Sequence, residues 1–297
     1  MKIGLVYPQT EFGNDTAAIK EYTQTAEGLG FSHILAYDHV LGANPNRPEK
    51  LNGPYTFLDS FLSPLLLFSY MSAITETIEF ATGIIILPQR QTALFAKQAA
   101  TLDQLCSGRL RLGVGIGWNK VEYQALDKNF HNRGRRIEEQ VQILRLLWQK
   151  PLINFFGEWE SIPDAGLNPL PIQKPIPIWF GGHAEPVLVR AGRIGDGWMP
   201  NYREAAEAKP SWDLIKETAE NNGRDSSKIG LEARIHYQKA LPGRKSNDKG
   251  DLSKIIQTWD KIGATHISIN TMNVGLDSSK RHIQAIKDIA NSIGLSK

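Results

Sequence analysis

Arg109-Leu-Arg-Leu-Gly-Val-Gly-Ile-Gly-Trp118 decides how this chain folds. Its first half reads as a short strand. Its second half is a glycine-dense turn at the strand's C-terminal end, where backbone N–H groups approach an anionic or planar ligand without obstruction by Cβ atoms. The dinucleotide fingerprint G-x-G-x-x-G fails here: three positions beyond Gly115 stands Trp118, three beyond Gly117 stands Lys120, and no Walker A lysine pattern follows. The glycines need another context, and the rest of the chain supplies it.

Outward from this stretch, short apolar runs alternate with longer amphipathic ones, the pattern of parallel βα units rather than of an antiparallel sandwich. Strands are predicted over 3–7, 34–37, 79–87, 110–114, 176–180, 198–200, 229–237 and 266–270. Helices are predicted near 15–29, 59–73, 92–106, 133–148, 185–193, 204–222, 250–262 and 278–293. In the fourth of these, Ile137, Val141, Leu144 and Trp148 recur at spacings of four and three, so one face is committed to packing. Ser107-Gly108 stops one helix and Pro151 ends the next.

Eight successive βα units in 297 residues predict an α/β fold of the (β/α)8 TIM-barrel type, a single domain over 1–297 with insertion segments. A doubly wound open sheet is the alternative. It normally carries a phosphate fingerprint after its first strand, and here Tyr7-Pro-Gln-Thr-Glu-Phe-Gly13 stands in that place. Three insertions follow predicted elements: 41–56, rich in Asn, Pro and Gly; 155–174, with Trp159 and a proline-rich close; and 241–250, polar and basic. The first follows a strand's C-terminal end and in a barrel lies over the active face. The second follows a helix and reaches that face only by folding back.

Composition excludes several function classes. Lys and Arg total 34 against 31 Asp and Glu, interspersed, which argues against a nucleic-acid groove or a polybasic membrane anchor. The longest apolar run, 61–70, is broken by Ser63 and Pro64 and falls far short of the roughly 20 residues that span a bilayer. The N-terminal run Met1-Lys-Ile-Gly-Leu-Val-Tyr7 is too short for the core of a signal peptide, so a cytoplasmic protein is expected. The only cysteine, Cys106, has no internal partner and reads as a buried, inert side chain. Histidines at 33, 39, 131, 183, 236, 266 and 282 form no H-E-x-x-H, so no metal site is expected, and no G-x-S-x-G elbow marks a hydrolase.

Four places carry candidate chemistry. Asp38-His39 closes the second strand, at the barrel end where catalytic groups gather; the histidine exchanges a proton near neutral pH and the carboxylate fixes its tautomer, unless both merely satisfy loop backbone. Gly83, inside Ala81-Thr-Gly-Ile-Ile-Ile-Leu-Pro88, marks a bulge or a close backbone approach to a flat ligand, or simply relieves crowding in a buried strand. Gly181-Gly-His-Ala-Glu-Pro186 opens a helix whose free amides suit a phosphate, with His183 as a further donor; an ordinary βα turn is the alternative. Trp198 stands near another strand end, to flank an aromatic cofactor or to pack within the barrel.

Taken in order, Tyr37-Asp-His39, Thr82-Gly-Ile-Ile-Ile-Leu-Pro88, Asp103-Gln-Leu-Cys-Ser-Gly-Arg109, Gly113-Val-Gly-Ile-Gly-Trp118, the 133–148 helix, and Trp179-Phe-Gly-Gly182 with Gly195-Asp-Gly-Trp198 form a specific set. It resembles the bacterial luciferase-like superfamily of flavin- or deazaflavin-dependent oxidoreductases over most of residues 1–200. The resemblance implies FMN or coenzyme F420 at the C-terminal face of the barrel. It implies a bulge after the third strand, often with a non-prolyl cis peptide, supporting the ring around Gly83, Ile84 and Ile85. Phosphate contacts are implied at Gly115, Ile116 and Gly117 and at Gly181, Gly182 and His183, although His183 departs from the small polar residue expected there.

Asp38-His39 is similar to the Asp-His pair of F420-dependent members, whereas many FMN monooxygenases carry Glu-His, and this favours F420. Glu122 resembles a site-facing glutamate of some members, or else begins a solvated helix. The implied reaction is hydride transfer with F420, or monooxygenation with reduced FMN, on a small organic substrate, His39 handling a proton while Asp38 holds it. With FMN, a flavin reductase or a pyridine nucleotide supplies the reduced form. A homodimer is implied. Two other classes stay open: a flavin-binding protein without turnover, and a sugar-phosphate isomerase or aldolase barrel, which needs a lysine at a strand end.

Overall fold

A computed structural model describes residues 1–51, 53–237 and 252–295. The predicted 241–250 insertion lies outside the described residues. In chain order the strands are β1 (Lys2–Val6), β2 (His33–Ala36), β3 (Glu79–Thr82), β4 (Ile85–Ile86), β5 (Leu110–Gly115), β6 (Ile153–Phe156), β7 (Ser161–Ala165), β8 (Ile178–Gly181), β9 (Gly197–Met199), β10 (Gly230–His236) and β11 (His266–Asn270). Their order in the main sheet is β3-β2-β1-β11-β10-β9-β8-β5-β4, with β3 also paired to β5, which is the closed (β/α)8 barrel expected from the βα alternation. β3 and β4 are one barrel strand interrupted at Gly83-Ile84, so the main sheet occupies eight barrel positions.

The chain packs as two compact units. One comprises Met1–Ala36, Ile74–Ala81 and Trp179–Lys297. Here β1 pairs in parallel with β2 and β11, β11 with β10, β10 with β9, and β9 with β8. Its helices include Thr16–Gly28, capped by the Asp15 side chain accepting from the Ala17 amide at 2.9 Å, and Glu185–Ile194, Ala205–Asn221, Leu252–Lys261 and Ser279–Ser292. Trp179 is buried against Gly197 and Gly230, where an added Cβ would lie 2.1 and 2.2 Å from its ring. Near the N-terminal ends of the strands His33 Nε2 meets Glu232 Oε1 and Ser268 Oγ, each at 2.9 Å, and both ionisable side chains are buried. Satisfied polar groups at that end of a barrel serve stability.

The other unit comprises Tyr37–Ala73 and Thr82–Ile178. β4 pairs in parallel with β5, setting Ile85 beside Val114 and Ile86 beside Gly115. The helix expected over 59–73 runs Pro64–Ser72, because Ser63 precedes a proline and is held extended while Pro64 suits a first helical turn. The first insertion is closed at its neck, where the Phe57 amide donates to the Ala43 carbonyl at 3.3 Å. The second forms an antiparallel hairpin, β6 with β7, which the sequence pattern did not reveal. Glu139, on the helix Arg133–Gln149, accepts from the amides of Glu158, Trp159 and Glu160 at the hairpin turn. The strap then runs along the helix Thr92–Leu105, with Lys97 donating to the Asn168 carbonyl, Gln104 to the Leu170 carbonyl, and Gln173 to Asp103.

Candidate active site

Asp38 and His39 lie just beyond the C-terminal end of β2, which finishes at Ala36. Their partners differ. Arg90 Nη2 reaches both carboxylate oxygens of Asp38, at 2.8 and 2.7 Å, and the Ile86 amide donates to Oδ2 at 3.4 Å. Asp38 is therefore spoken for by the end of the third barrel strand and does not hold His39, which corrects the sequence-based pairing.

The group beside His39 is Glu122, with His39 Nδ1 3.6 Å from Glu122 Oε1. The same oxygen accepts from the Val40 amide at 2.5 Å and the Leu41 amide at 3.0 Å, and Oε2 accepts from Gln89 Nε2 at 3.1 Å. The Glu122 side chain is 0% exposed. Burial pushes its pKa up, but His39, the Leu41 amide, Gln89 and the Val40 amide outweigh it, and the net effect holds the carboxyl below its ordinary value. Glu122 thus belongs to the site and is not part of a solvated helix face. Its helix, Lys120–Ala125, is capped by Asn119, whose side chain accepts from the Val121 and Glu122 amides and donates to the Leu41 carbonyl at 3.0 Å.

Aromatic rings enclose the imidazole. Phe61, Tyr55 and Trp118 meet it edge-on with centroids 4.9, 5.2 and 5.8 Å away. Tyr55 comes from the first insertion and Trp118 from the end of the glycine turn, and only 10% of the His39 side chain is exposed.

The Gly83–Ile84 peptide bond is cis, at the point where the resemblance implies one, and both residues are half-buried. Gly117 has φ +63°, and a Cβ there would lie 2.8 Å from Ile86 Cγ2, so this turn admits glycine for both backbone and packing reasons. Ile116 and Gly117 are half-buried and Gly115 is buried.

In the first-described unit, Gly182 has φ +129° and its carbonyl accepts from Trp198 Nε1 at 2.7 Å. Trp198 is fully buried and stacks on Trp212, with centroids 6.3 Å apart and planes at 8°. It braces the Gly181-Gly182 turn from beneath and presents no exposed face to a ligand. Gly181 and Gly182 are half-buried, His183 is exposed with its ring 6.2 Å from Tyr202, and the helix Glu185–Ile194 that follows has no side-chain cap.

Two contributors escaped sequence reasoning. Gln89-Arg90 directly follows Pro88 at a strand end, a polar pair where barrel chemistry gathers. Asn119-Lys-Val-Glu122 has the spacing of a helix-capping box, a readable signal for a helix start. Among the described residues no barrel strand ends in lysine, no group of His, Cys, Asp and Glu is arranged for a metal, and no helix is long and apolar enough to cross a membrane.

The chain is similar to known proteins. FMNH(2)-dependent dimethylsulfone monooxygenase of Pseudomonas putida is 33% identical over 221 residues, 72% of this chain and 56% of that one. F420-dependent glucose-6-phosphate dehydrogenase of Amycolatopsis mediterranei (strain U-32) is 24% identical over 95% of this chain and 91% of its own. The solved F420-dependent secondary alcohol dehydrogenase, in complex with an F420-acetone adduct, superposes with a TM-score of 0.77 over 98% of both chains at 18% identity, a likeness of fold. A model of the luciferase-like monooxygenase family matches residues 1–239, and the chain belongs to that family.

Proposed function

We propose that this protein is an oxidoreductase that binds F420 or FMN and acts on a small organic substrate, with His39 as the group that moves a proton. One observation carries the reading: an imidazole at a barrel strand's C-terminal end, ringed by Tyr55, Phe61 and Trp118 and set beside a buried carboxylate.

The backbone around it fits a flat, anionic cofactor. Gly83 and Ile84 offer a backbone ledge for a planar ring, whereas Ile85, also expected there, is fully buried in the barrel strand; of the turn Gly115-Ile116-Gly117, Gly115 is buried and Ile116 and Gly117 are half-buried, with no room for a Cβ at Gly117. Within the other unit, Gly181, Gly182 and His183 stand at an uncapped helix start of the kind that suits a phosphate, with Trp198 as the brace of that turn. Bound F420 supplies hydride transfer, and bound reduced FMN supplies oxygen activation.

The chain's own residues do the rest. His39 gives or takes a proton at a substrate oxygen, the rings around it limit water, and Asp38 with Arg90 fixes the strand ends that carry both His39 and the Gly83-Ile84 ledge. The Asp38-His39 sequence favours F420. If FMN is used, a separate reductase delivers it reduced. A homodimer in the cytoplasm is the assembly and setting this reading carries with it.

Parallel titrations of the purified protein with F420 and FMN, followed by absorbance and fluorescence, test the cofactor. Tight F420 binding with weak FMN binding supports the deazaflavin form. Failure to bind either overturns the redox reading.

A further inference from the structure

We propose that Glu122 is the positioning residue of the site: its carboxylate keeps the neutral His39 ring in the Nδ1–H form and leaves Nε2 as the nitrogen that exchanges the proton. The inference rests on the reading of His39 as the proton-handling group.

Three observations converge on it. Glu122 Oε1 lies 3.6 Å from His39 Nδ1, too long for a hydrogen bond but close enough for its charge to act on that nitrogen. A lone pair on Nδ1 facing a buried carboxylate is repelled by it, whereas an N–H there is attracted, so the carboxylate selects the tautomer. The charge is present near neutral pH, because the bonds to Glu122 hold its carboxyl below the ordinary range despite burial.

The carboxylate is also locked in place. Oε1 accepts from the Val40 and Leu41 amides, so the residues that follow His39 are fastened to it, and Oε2 is held by Gln89. Asn119 closes the arrangement by capping the Glu122 helix while donating to the Leu41 carbonyl. The first insertion leaves the strand through Val40 and Leu41, so one carboxylate sets both the ring nitrogen and the path of the loop above it. Asp38 has no part in this, since its oxygens are taken by Arg90 and the Ile86 amide.

Nitrogen NMR of protein carrying 15N-labelled histidine reads the tautomer directly, with the His39 signals assigned by their loss in His39→Ala. The protein without cofactor or substrate suffices, so the outcome is separable from the cofactor titration. Wild-type His39 in its neutral form is expected as Nδ1–H. Glu122→Leu is expected to shift the tautomer ratio towards Nε2–H by about tenfold or more, the scale of one nearby charge acting on a ring nitrogen in a partly desolvated site. Glu122→Gln, which keeps the shape but removes the charge, is expected to shift the ratio in the same direction as Glu122→Leu, and Asp38→Asn leaves it in place; full retention of Nδ1–H in Glu122→Gln overturns the proposal. A wild-type ring in the Nε2–H form overturns the proposal, and this measurement stands even if Glu122→Leu fails to fold. An unchanged ratio in a folded Glu122→Leu variant overturns it equally.

Discussion

Arg90 grips Asp38 through both carboxylate oxygens, at 2.8 and 2.7 Å, and so turns the aspartate away from the histidine that follows it in sequence. The Asp38 side chain is 3% exposed and that of Arg90 20%, which makes the pair costly to break from one side. Arg90→Met leaves a buried carboxylate facing an apolar chain. A loss of about 3 kcal/mol is expected, at the lower end for buried pairs because the guanidinium is partly solvated. Urea denaturation measures it. A loss within about 0.5 kcal/mol of zero would show that solvent replaces the guanidinium at no cost.

Exchange of a proton by His39 predicts a split between binding and turnover. His39→Ala should lower turnover by about a hundredfold to ten-thousandfold, the usual worth of a positioned acid or base, while cofactor affinity changes little. Stopped-flow turnover beside a binding titration separates the two. Equal turnover in the variant removes the residue from the mechanism.

The sequence displayed the barrel because each βα unit announces itself locally: alternation at Arg109 to Leu112, a helical stop at Ser107-Gly108, an apolar stripe from Ile137 to Trp148. The β6–β7 hairpin did not announce itself. Its second strand is mostly exposed and contains Pro163, and the carboxylate that shapes its turn, Glu139, belongs to a different element. The site shows the same division. Asp38, His39 and Gly83 were legible because position at a strand end and residue type are local properties. That Asp38 pairs with a residue 52 positions away, and that the Val40 amide donates to a carboxylate 82 positions away, depends on side-chain direction, which composition and spacing do not encode. Adjacency in sequence suggested an Asp38–His39 partnership, whereas Arg90 and the Ile86 amide take the oxygens of Asp38.

Gly117 tests the glycine turn itself. At φ +63° a non-glycine residue costs about 1–2 kcal/mol, and the Cβ of Gly117→Ala would also meet Ile86 Cγ2 at 2.8 Å. A stability loss of about 2–3 kcal/mol is expected, together with an affinity loss for F420 or FMN of about tenfold, because Ile86 and the amides beside it must shift. Gly13→Ala serves as the control: it has φ +79° but nothing within 4 Å of an added Cβ, so it should cost stability without weakening cofactor binding. Matching affinity losses in both variants would sever the link between the turn and the cofactor.

His282 supplies a pH dependence remote from this chemistry. Its ring is fully buried, with Nδ1 2.9 Å from Thr271 Oγ1 and Nε2 3.3 Å from Glu11. Burial lowers its pKa from 6.5 to about 4, against a smaller opposing effect from the Leu276 backbone. The unfolded chain therefore takes up this proton first. Stability from the neutral ring is complete above the unfolded value and drains away as pH falls from 6.5 towards about 4, by about 3 kcal/mol in full. Glu11 opposes part of this loss, since burial raises its pKa, against the Asn273 amide, and the folded state then holds a proton more tightly than the unfolded chain. His282→Phe removes the titration while keeping a ring beside Phe12, whose centroid is 6.2 Å away. Urea denaturation of both proteins at about pH 4.5 and about pH 7 should show a smaller acid loss in the variant, by up to one bound proton in slope. The same loss in both proteins would mean that His282 is already protonated in the folded state.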